Sequence, residues 1–338
     1  MALTTGLVLA GCYGGRTAWG GLRMMVKRQS VERLLADPGT DPELARRLRS
    51  ARRLVEFAEE ELALPVGRAY DSYVELGRLY ATWTVSATPE LSVEPQTWCF
   101  PIAGCVSYRG YFSEPRARRF AEHLAERRMD VEVGGVRAFS TLGWLRDPLL
   151  SSFVALPEPE LAALLFHELA HRRLYVKGDT TFNESFASLV EEEGVRRWLG
   201  GGERDEELAA WLAARRHDGE IVDLALATRA RLAEAFAEPR TDDWKRRRKA
   251  ELLGGLRAAY RERRPDQGDR WDGFFDAGLN NARLASLGAY HELLPGLRRL
   301  LAAEGDDLER FYAAAAALAD LSPEDRRSRL VAPAVPTP

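Results

Sequence analysis

The chain has 338 residues, of which 46% are hydrophobic and 29% charged. That composition suits a globular protein with a sizeable core. Its 48 basic and 51 acidic residues leave a net charge of −3, a balance that gives no reason to expect a nucleic-acid partner; basic clusters such as Lys245 to Lys249 read as solvated helix faces.

At the N-terminus, Ala2 to Ala10 are small or apolar and run into Leu9-Ala10-Gly11-Cys12. This tetrapeptide resembles a bacterial lipobox, in which the signal is cut before a Cys that then carries lipid. Residues 1–11 are therefore expected to be a signal segment. Cys12 is the expected membrane attachment, and the expected location is the cell envelope, facing the periplasm. The apolar run is far too short to span a bilayer, and no Lys or Arg precedes it. Cys99 and Cys105 remain as a pair. An even count in an oxidising compartment favours a disulfide, and Pro101 and Gly104 let the short loop turn back. Two buried free thiols are the alternative.

From Asp41 to Leu64 the apolar positions Leu44, Leu48, Ala51, Leu54, Val55 and Ala58 recur at helical spacing, and Pro65 ends the run. Residues 69–113 are rich in Tyr, Trp, Thr, Val and Phe and punctuated by Gly and Pro, the pattern of strands and turns. Arg116 to Arg128 reads as a helix. Val131 to Val133 alternates like a strand that resumes over Val136 to Thr141, with Gly134-Gly135 as a kink or turn between them. From Pro157 onward nearly everything reads helical, with breaks at Gly200 to Gly202, Glu238 to Arg240, Pro265 to Asp269, Pro295 and Gly305. Residues 323–338 end in Pro-rich sequence and read as a disordered tail. The expected class is α+β, with a strand-containing N-terminal lobe, about 12–156, and a mainly helical C-terminal lobe, about 157–322, in one compact unit.

The chemistry concentrates in Phe166-His167-Glu168-Leu169-Ala170-His171. Two His four apart on a helix sit one turn apart on one face, so both imidazoles can reach a single ion. Glu168, beside the first His, is placed to take a proton from water rather than to ligate. Asn183-Glu184-Ser185-Phe186-Ala187 opens a second apolar-periodic helix after a connection containing Gly178. An inward Glu184 supplies a third protein ligand, with Glu191, Glu192 and Glu193 next in line on the same helix. His, His and Glu leave a fourth position open, the arrangement of catalytic rather than structural zinc.

His-Glu-Leu-Ala-His followed by Asn-Glu-Ser-Phe-Ala resembles the gluzincin metallopeptidases, including the thermolysin-like and M1 aminopeptidase groups. In these a Glu of the second helix completes a Zn2+ site. The connection over residues 172–183 is shorter than in M1, and the Gly-x-Met-Glu-Asn exopeptidase motif is absent. A broader resemblance covers about residues 12 to 300. It rests on Trp98-Cys99-Phe100-Pro101, on Gly104-Cys105-Val106-Ser107-Tyr108-Arg109-Gly110-Tyr111-Phe112, on Tyr175-Val176-Lys177-Gly178-Asp179-Thr180, on the metal segments and on Asn280-Asn281-Ala282-Arg283-Leu284. These segments are similar to a family of bacterial predicted aminopeptidase lipoproteins. The resemblance implies a zincin-like peptidase domain over residues 12–322, a peptide substrate and hydrolysis assisted by zinc.

The implied mechanism uses Glu168 as general base and a donor opposite the metal for the oxyanion. Tyr290 is the expected donor, with His291 as runner-up, and Asn281 and Arg283 are candidates to hold substrate ends. Val131 to Thr141 is the candidate edge for holding the peptide by strand addition, with Gly134-Gly135 permitting close backbone approach. Two other classes compete. One is a lipid-anchored envelope binding or scaffold protein with structural or vestigial zinc, which has no need of Glu168. The other is a carboxylate-bridged di-iron helical protein, for which Glu168 and His171 supply one Glu-x-x-His pair and no second is found.

Overall fold

Ser30 ends a short strand and Asp41 ends a turn, and each starts a helix. In the computed structural model, which describes residues 26–100, 104–138, 146–200, 202–265, 268–276 and 278–331, these helices are α1 (Val31–Ala36) and α2 (Pro42–Glu60). Asp41 Oδ1 accepts from the Leu44 N–H at 2.8 Å, and Pro42 occupies the first turn, where a missing N–H costs nothing. The buried stripe Ala45, Leu48, Ala51, Leu54 and Ala58 has the expected spacing. The helix stops earlier than expected. Ala63 takes a left-handed φ of 50° and the Leu64 N–H donates back to the Ala58 carbonyl, a closing turn that ends α2 before Pro65 is reached.

The short β1 (Gln29–Ser30) pairs antiparallel with β2 (Ser72–Val74). The central strand of a second sheet is β3 (Thr82–Pro89). It is followed by the hairpin of β4 (Trp98–Phe100) and β5 (Gly104–Val106), where Cys99 and Cys105 are register partners joined by a disulfide. Strand β6 (Tyr108–Tyr111) and, after α3 (Glu114–Glu126), strand β7 (Met129–Val136) pair antiparallel with the two sides of β3. Period-two alternation gives β3 two characters. Trp83, Val85 and Ala87 are buried with Ala117, Ala121 and Leu124 of α3, while Thr82, Thr84 and Ser86 face a cavity. Gly134 and Gly135 lie within one continuous strand rather than in a turn. Gly135 is needed because a Cβ there would lie 2.5 Å from the Tyr80 ring. Residues 139–141, expected to extend the strand, lie outside the described residues. Strand β8 (Leu149–Leu150) returns to pair parallel with β2.

The rest is helical: α4 (Glu158–Arg173), α5 (Thr180–Leu199), α6 (Asp205–Ala237), α7 (Asp242–Arg263), α8 (Asp272–Asp276), α9 (Asn281–His291), α10 (Leu294–Ala303), α11 (Leu308–Ala319) and α12 (Pro323–Val331). The protein is thus mixed α and β, mostly helical with small sheets. The break expected at Pro295 falls just before it, between α9 and α10, and Pro295 itself sits in the first turn of α10, where proline is tolerated. The expected lobe boundary near residue 156 is crossed by the largest core. Leu48 and Leu54 of α2, Tyr73 and Val74 of β2, Phe166 of α4, Phe186 of α5 and Phe311 of α11 all belong to it. A second cluster joins α6, α7 and α8 to Leu284 of α9. Among the described residues no helix is long and apolar enough to cross a membrane. Cys12 and the lipobox lie outside the described residues.

The disorder expected from residue 323 onward is also corrected. Residues 323–331 form α12, with Leu330 and Arg326 buried; residues 332–338 lie outside the described residues. Proline-rich composition hid the helix because its anchor is one charged side chain. Arg326 is 2% exposed. It donates to the carbonyls of Leu318, Ala319 and Leu321, pairs with Asp179 and stacks over the Phe182 ring at 5.0 Å. Removing one member of a buried ion pair strands the other. Arg326→Ala is therefore expected to lower unfolding stability by about 3 kcal/mol, read as a fall in the urea midpoint with an unchanged slope.

Candidate metal centre

His167 and His171 stand one turn apart near the C-terminal end of α4, with ring centroids 4.9 Å apart and planes nearly perpendicular. Glu184 faces them from the second turn of α5. Its Oε2 lies 3.2 Å from His167 Nε2 and 3.6 Å from His171 Nε2. One ligand atom from each residue falls within 4.8 Å of the others, and among the described residues this is the one group of metal-binding side chains. The donor set fits a divalent ion. Two imidazole nitrogens and a carboxylate converge with little exposure, and such a set is suited to zinc, copper, nickel or iron. Burial pushes the Glu184 carboxyl up, but the His171 charge and hydrogen bonds from both imidazoles outweigh it and hold the group well below the usual carboxylate range.

Glu191, next in line on the sequence reading should Glu184 not be a ligand, has its Oε2 3.2 Å from His167 Nδ1, on the far side of the ring from Glu184. A carboxylate there fixes the tautomer and leaves Nε2 to face an ion. Burial opposes charging His167, yet hydrogen bonds to Glu184 and Glu191 raise it well above the usual imidazole value. The clue in the sequence is the seven-residue step from Glu184 to Glu191, two helical turns on one face. His171 is held differently: its Nδ1 is buried and makes no hydrogen bond among the described residues. Glu168 lines the cavity beside the ligands. Burial raises its carboxyl above the usual range, against the pull of His171 and His167.

Local chemistry fixes the turn between α4 and α5. The Val176 N–H donates to Asn183 Oδ1 at 2.7 Å, and Asn183 Nδ2 donates to the Val176 carbonyl at 2.8 Å. Asn183 thereby ties residues 175–178 to the turn that carries Glu184. Asp179 caps α5 through the Phe182 N–H at 3.0 Å, so Arg326 on α12 grips the cap of the ligand helix. Gly178 has a φ of 85°. The disulfide hairpin presses on this turn: a Cβ at Gly104 would lie 2.7 Å from the Gly178 nitrogen. Further along, a Cβ at Gly194 would lie 2.6 Å from the Phe166 ring, which shows how closely α5 approaches α4.

The cavity, about 370 Å³, lies between this helix pair, the hydroxyl-bearing face of β3 and β6, and α9. Tyr290 of α9 borders it, 38% exposed, with its ring stacked 6.0 Å from that of His167. The charge of Glu184 beside it raises the Tyr290 phenol well above its usual value, so the hydroxyl keeps its proton. His291 is not among the lining residues; burial lowers its imidazole to about 4. Asn281 and Arg283, expected at substrate ends, are structural. Arg283 Nε and Nη2 donate to Glu132 Oε2 at 2.8 and 2.5 Å, and Nη1 donates to the Phe274 carbonyl. Asn281 is fully buried; its N–H donates to Asp130 Oδ2 and its Nδ2 to the Glu90 and Ser92 carbonyls. The strand-addition edge is not supported at Val131, because the Val131 carbonyl accepts from Asn280 Nδ2 at 2.9 Å. Among the described residues of that segment, Val136 and Ala138 line the cavity.

Fold and site together define a mixed α/β protein with a candidate metal centre on two adjacent helices. The chain belongs to the family described as "Putative aminopeptidase", whose model matches residues 12–330. No curated protein and no solved structure matches it.

Because Glu191 orients His167 without reaching the ligand side of the ring, Glu191→Ala should leave a folded protein with metal affinity lowered about 10- to 100-fold. Competition against a chelator of known affinity measures this directly, and an unchanged affinity would leave Glu191 without that role.

Proposed function

We propose that the chain is a zinc-dependent peptidase of the gluzincin type with a zincin-like fold. The observation that carries this reading is the convergence of His167, His171 and Glu184 within 4.8 Å, with Glu168 beside them on one cavity. His167, His171 and Glu184 would hold the ion. Zinc, when bound, supplies a Lewis acid that polarises the scissile carbonyl and acidifies water. Glu168 accepts a proton from the attacking water and passes it to the leaving amine. Its raised pKa suits a base that must also act as an acid near neutral pH. Tyr290 donates a hydrogen bond to the carbonyl oxygen as negative charge builds there. The base distinguishes this reading from an envelope scaffold, where a buried carboxylate at Glu168 would only add cost. The Cys99–Cys105 bridge suits an oxidising compartment, in keeping with an envelope protein.

Separate substitutions distinguish ligands from base. His167→Ala, His171→Ala and Glu184→Ala are each expected to lose zinc, as read by elemental analysis of the purified protein. Glu168→Gln is expected to retain zinc and lose peptide cleavage. Full zinc occupancy in Glu184→Ala would exclude Glu184 as a ligand.

Tyr290→Phe tests the oxyanion donor. With zinc content and melting temperature unchanged, turnover should fall by on the order of a hundredfold or more. Unaltered turnover would remove Tyr290 from the mechanism.

A further inference from the structure

Trp98, Cys99 and Phe100 of β4 are register partners of Val106, Cys105 and Gly104 of β5, so the disulfide joins the middle pair of the hairpin. To one side of it the Trp98–Val106 pair is anchored. Val106 is buried, and the Trp98 ring packs edge-on against Phe120 of α3 at 6.2 Å. To the other side Gly104 is pressed against the turn between α4 and α5. A Cβ there would lie 2.7 Å from the Gly178 nitrogen and 2.7 Å from Lys177 Cγ. A two-stranded hairpin is marginally stable by itself in water, and among the described residues β4 and β5 pair with no other strand. The bridge therefore ties Gly104 to the anchored base of the hairpin.

That contact bears on the metal centre. Asn183 exchanges two hydrogen bonds with Val176 across the turn, and the Ser107 N–H, just beyond β5, donates to Thr180 Oγ1 at 3.4 Å. Thr180 opens α5, and Glu184 follows Asn183 in the same helix. Displacing the turn moves the carboxylate that meets His167 and His171, and a ligand set has to be held within about 0.5 Å of its binding geometry. Yet Cys99 and Cys105 are themselves exposed, so a soluble dithiol can reach the bond that steadies the turn.

Resting on the zinc reading above, we propose that the Cys99–Cys105 bridge is a redox switch on metal affinity. When a dithiol reduces it, the hairpin releases the turn over residues 176–180 and the site loosens its ion. A thiolate of the dithiol attacks one bridge sulfur, the S–S bond breaks and a mixed disulfide forms; the second thiol of the dithiol then resolves it. Two electrons and two protons end on Cys99 and Cys105, and the dithiol leaves as its disulfide.

The test uses the full chain with Cys12 alkylated while the bridge is intact. One portion is then reduced with dithiothreitol, alkylated so that the new thiols cannot ligate, and freed of reagent. Zinc affinity is read by competition with a chelator. The reduced form and the Cys99→Ser/Cys105→Ser variant are each expected to bind zinc about tenfold or more weakly than the bridged chain, with helical circular dichroism unchanged. Hydrogen exchange in the metal-free protein is expected to quicken over residues 176–184 and to stay the same in α2. Gly104→Ala, which keeps the bridge but forces hairpin and turn apart, is expected to weaken zinc binding as well. Equal affinity with and without the bridge overturns the proposal and leaves the zinc reading standing. Global unfolding of the bridgeless chain also overturns it, since the bridge would then sustain the whole fold rather than the turn. A bridged chain that binds no zinc overturns both.

Discussion

Glu184 carries its charge into a pocket where it is 8% exposed, and its carboxylate sits between two imidazoles on another helix. The contact requires α4 and α5 to pack directly side by side with Glu184 facing the His pair. Several features of the chain serve that approach. Gly194 leaves room for Phe166. Asn183 ties the intervening turn by two hydrogen bonds. Asp179 begins α5 at the right residue and is itself held by Arg326. The apolar side chains of both helices, including Leu165, Leu169, Phe182 and Phe186, then seal the pair into the largest core. A buried carboxylate without partners would be costly, so the local backbone chemistry and the site chemistry stabilise one another.

The opposite wall is held by a different kind of contact. Helix α9 carries Tyr290 to the cavity, and its N-terminal turn is clamped to β7 and to the Glu90–Ser92 turn by buried polar groups. Asp130 accepts from the Asn281 N–H and from Lys249 at 2.6 Å, and Glu132 accepts from Arg283. Hydrogen-bonded charges of this kind specify one arrangement more strictly than apolar contact, since any shift leaves a group unsatisfied. The polar cluster Asn280 to Arg283 therefore acts on the site through rigidity, and the small residues Ala282, Ala285 and Ala289 after it line the cavity.

Legibility in the sequence followed the range of the interactions. The His pair, Glu168 and the Glu184 helix could be read because helical spacing is a local property, and the buried stripe of α2 was visible for the same reason. Glu191 was harder: within Glu191-Glu192-Glu193 only the seven-residue step from Glu184 separates the member that faces His167 from Glu193, which pairs with Arg196 and Arg197. Asn281 and Arg283 looked like substrate contacts because polar residues next to a site have two uses, and only the positions of Asp130 and Glu132, more than a hundred residues earlier, decide between them. The helix over residues 323–331 was missed because Arg326 finds its partner Asp179 far away in the chain. The largest core draws on both expected lobes, as one compact unit requires, through contacts such as Leu54 and Val74 with Phe166 and Phe186 that join residues far apart in the chain.

The same alternation that builds the sheet also decides what the cavity offers. On β3 the odd-numbered side chains from Trp83 to Ala87 are buried with α3, so the even-numbered ones must face the metal helices. A slip of one residue would send Trp83 and Val85 into the cavity and bury Thr84 and Ser86 without partners. Three contacts oppose that slip: Tyr80 packs where a Cβ on Gly135 would otherwise stand, Thr84 Oγ1 donates to the Gly134 carbonyl, and the Ala81 N–H donates to the Val136 carbonyl at 2.8 Å. The register that closes the small core under α3 is thus also the one that lines the cavity with neutral hydroxyls. The character of the cavity wall follows from how the sheet is packed on its other face.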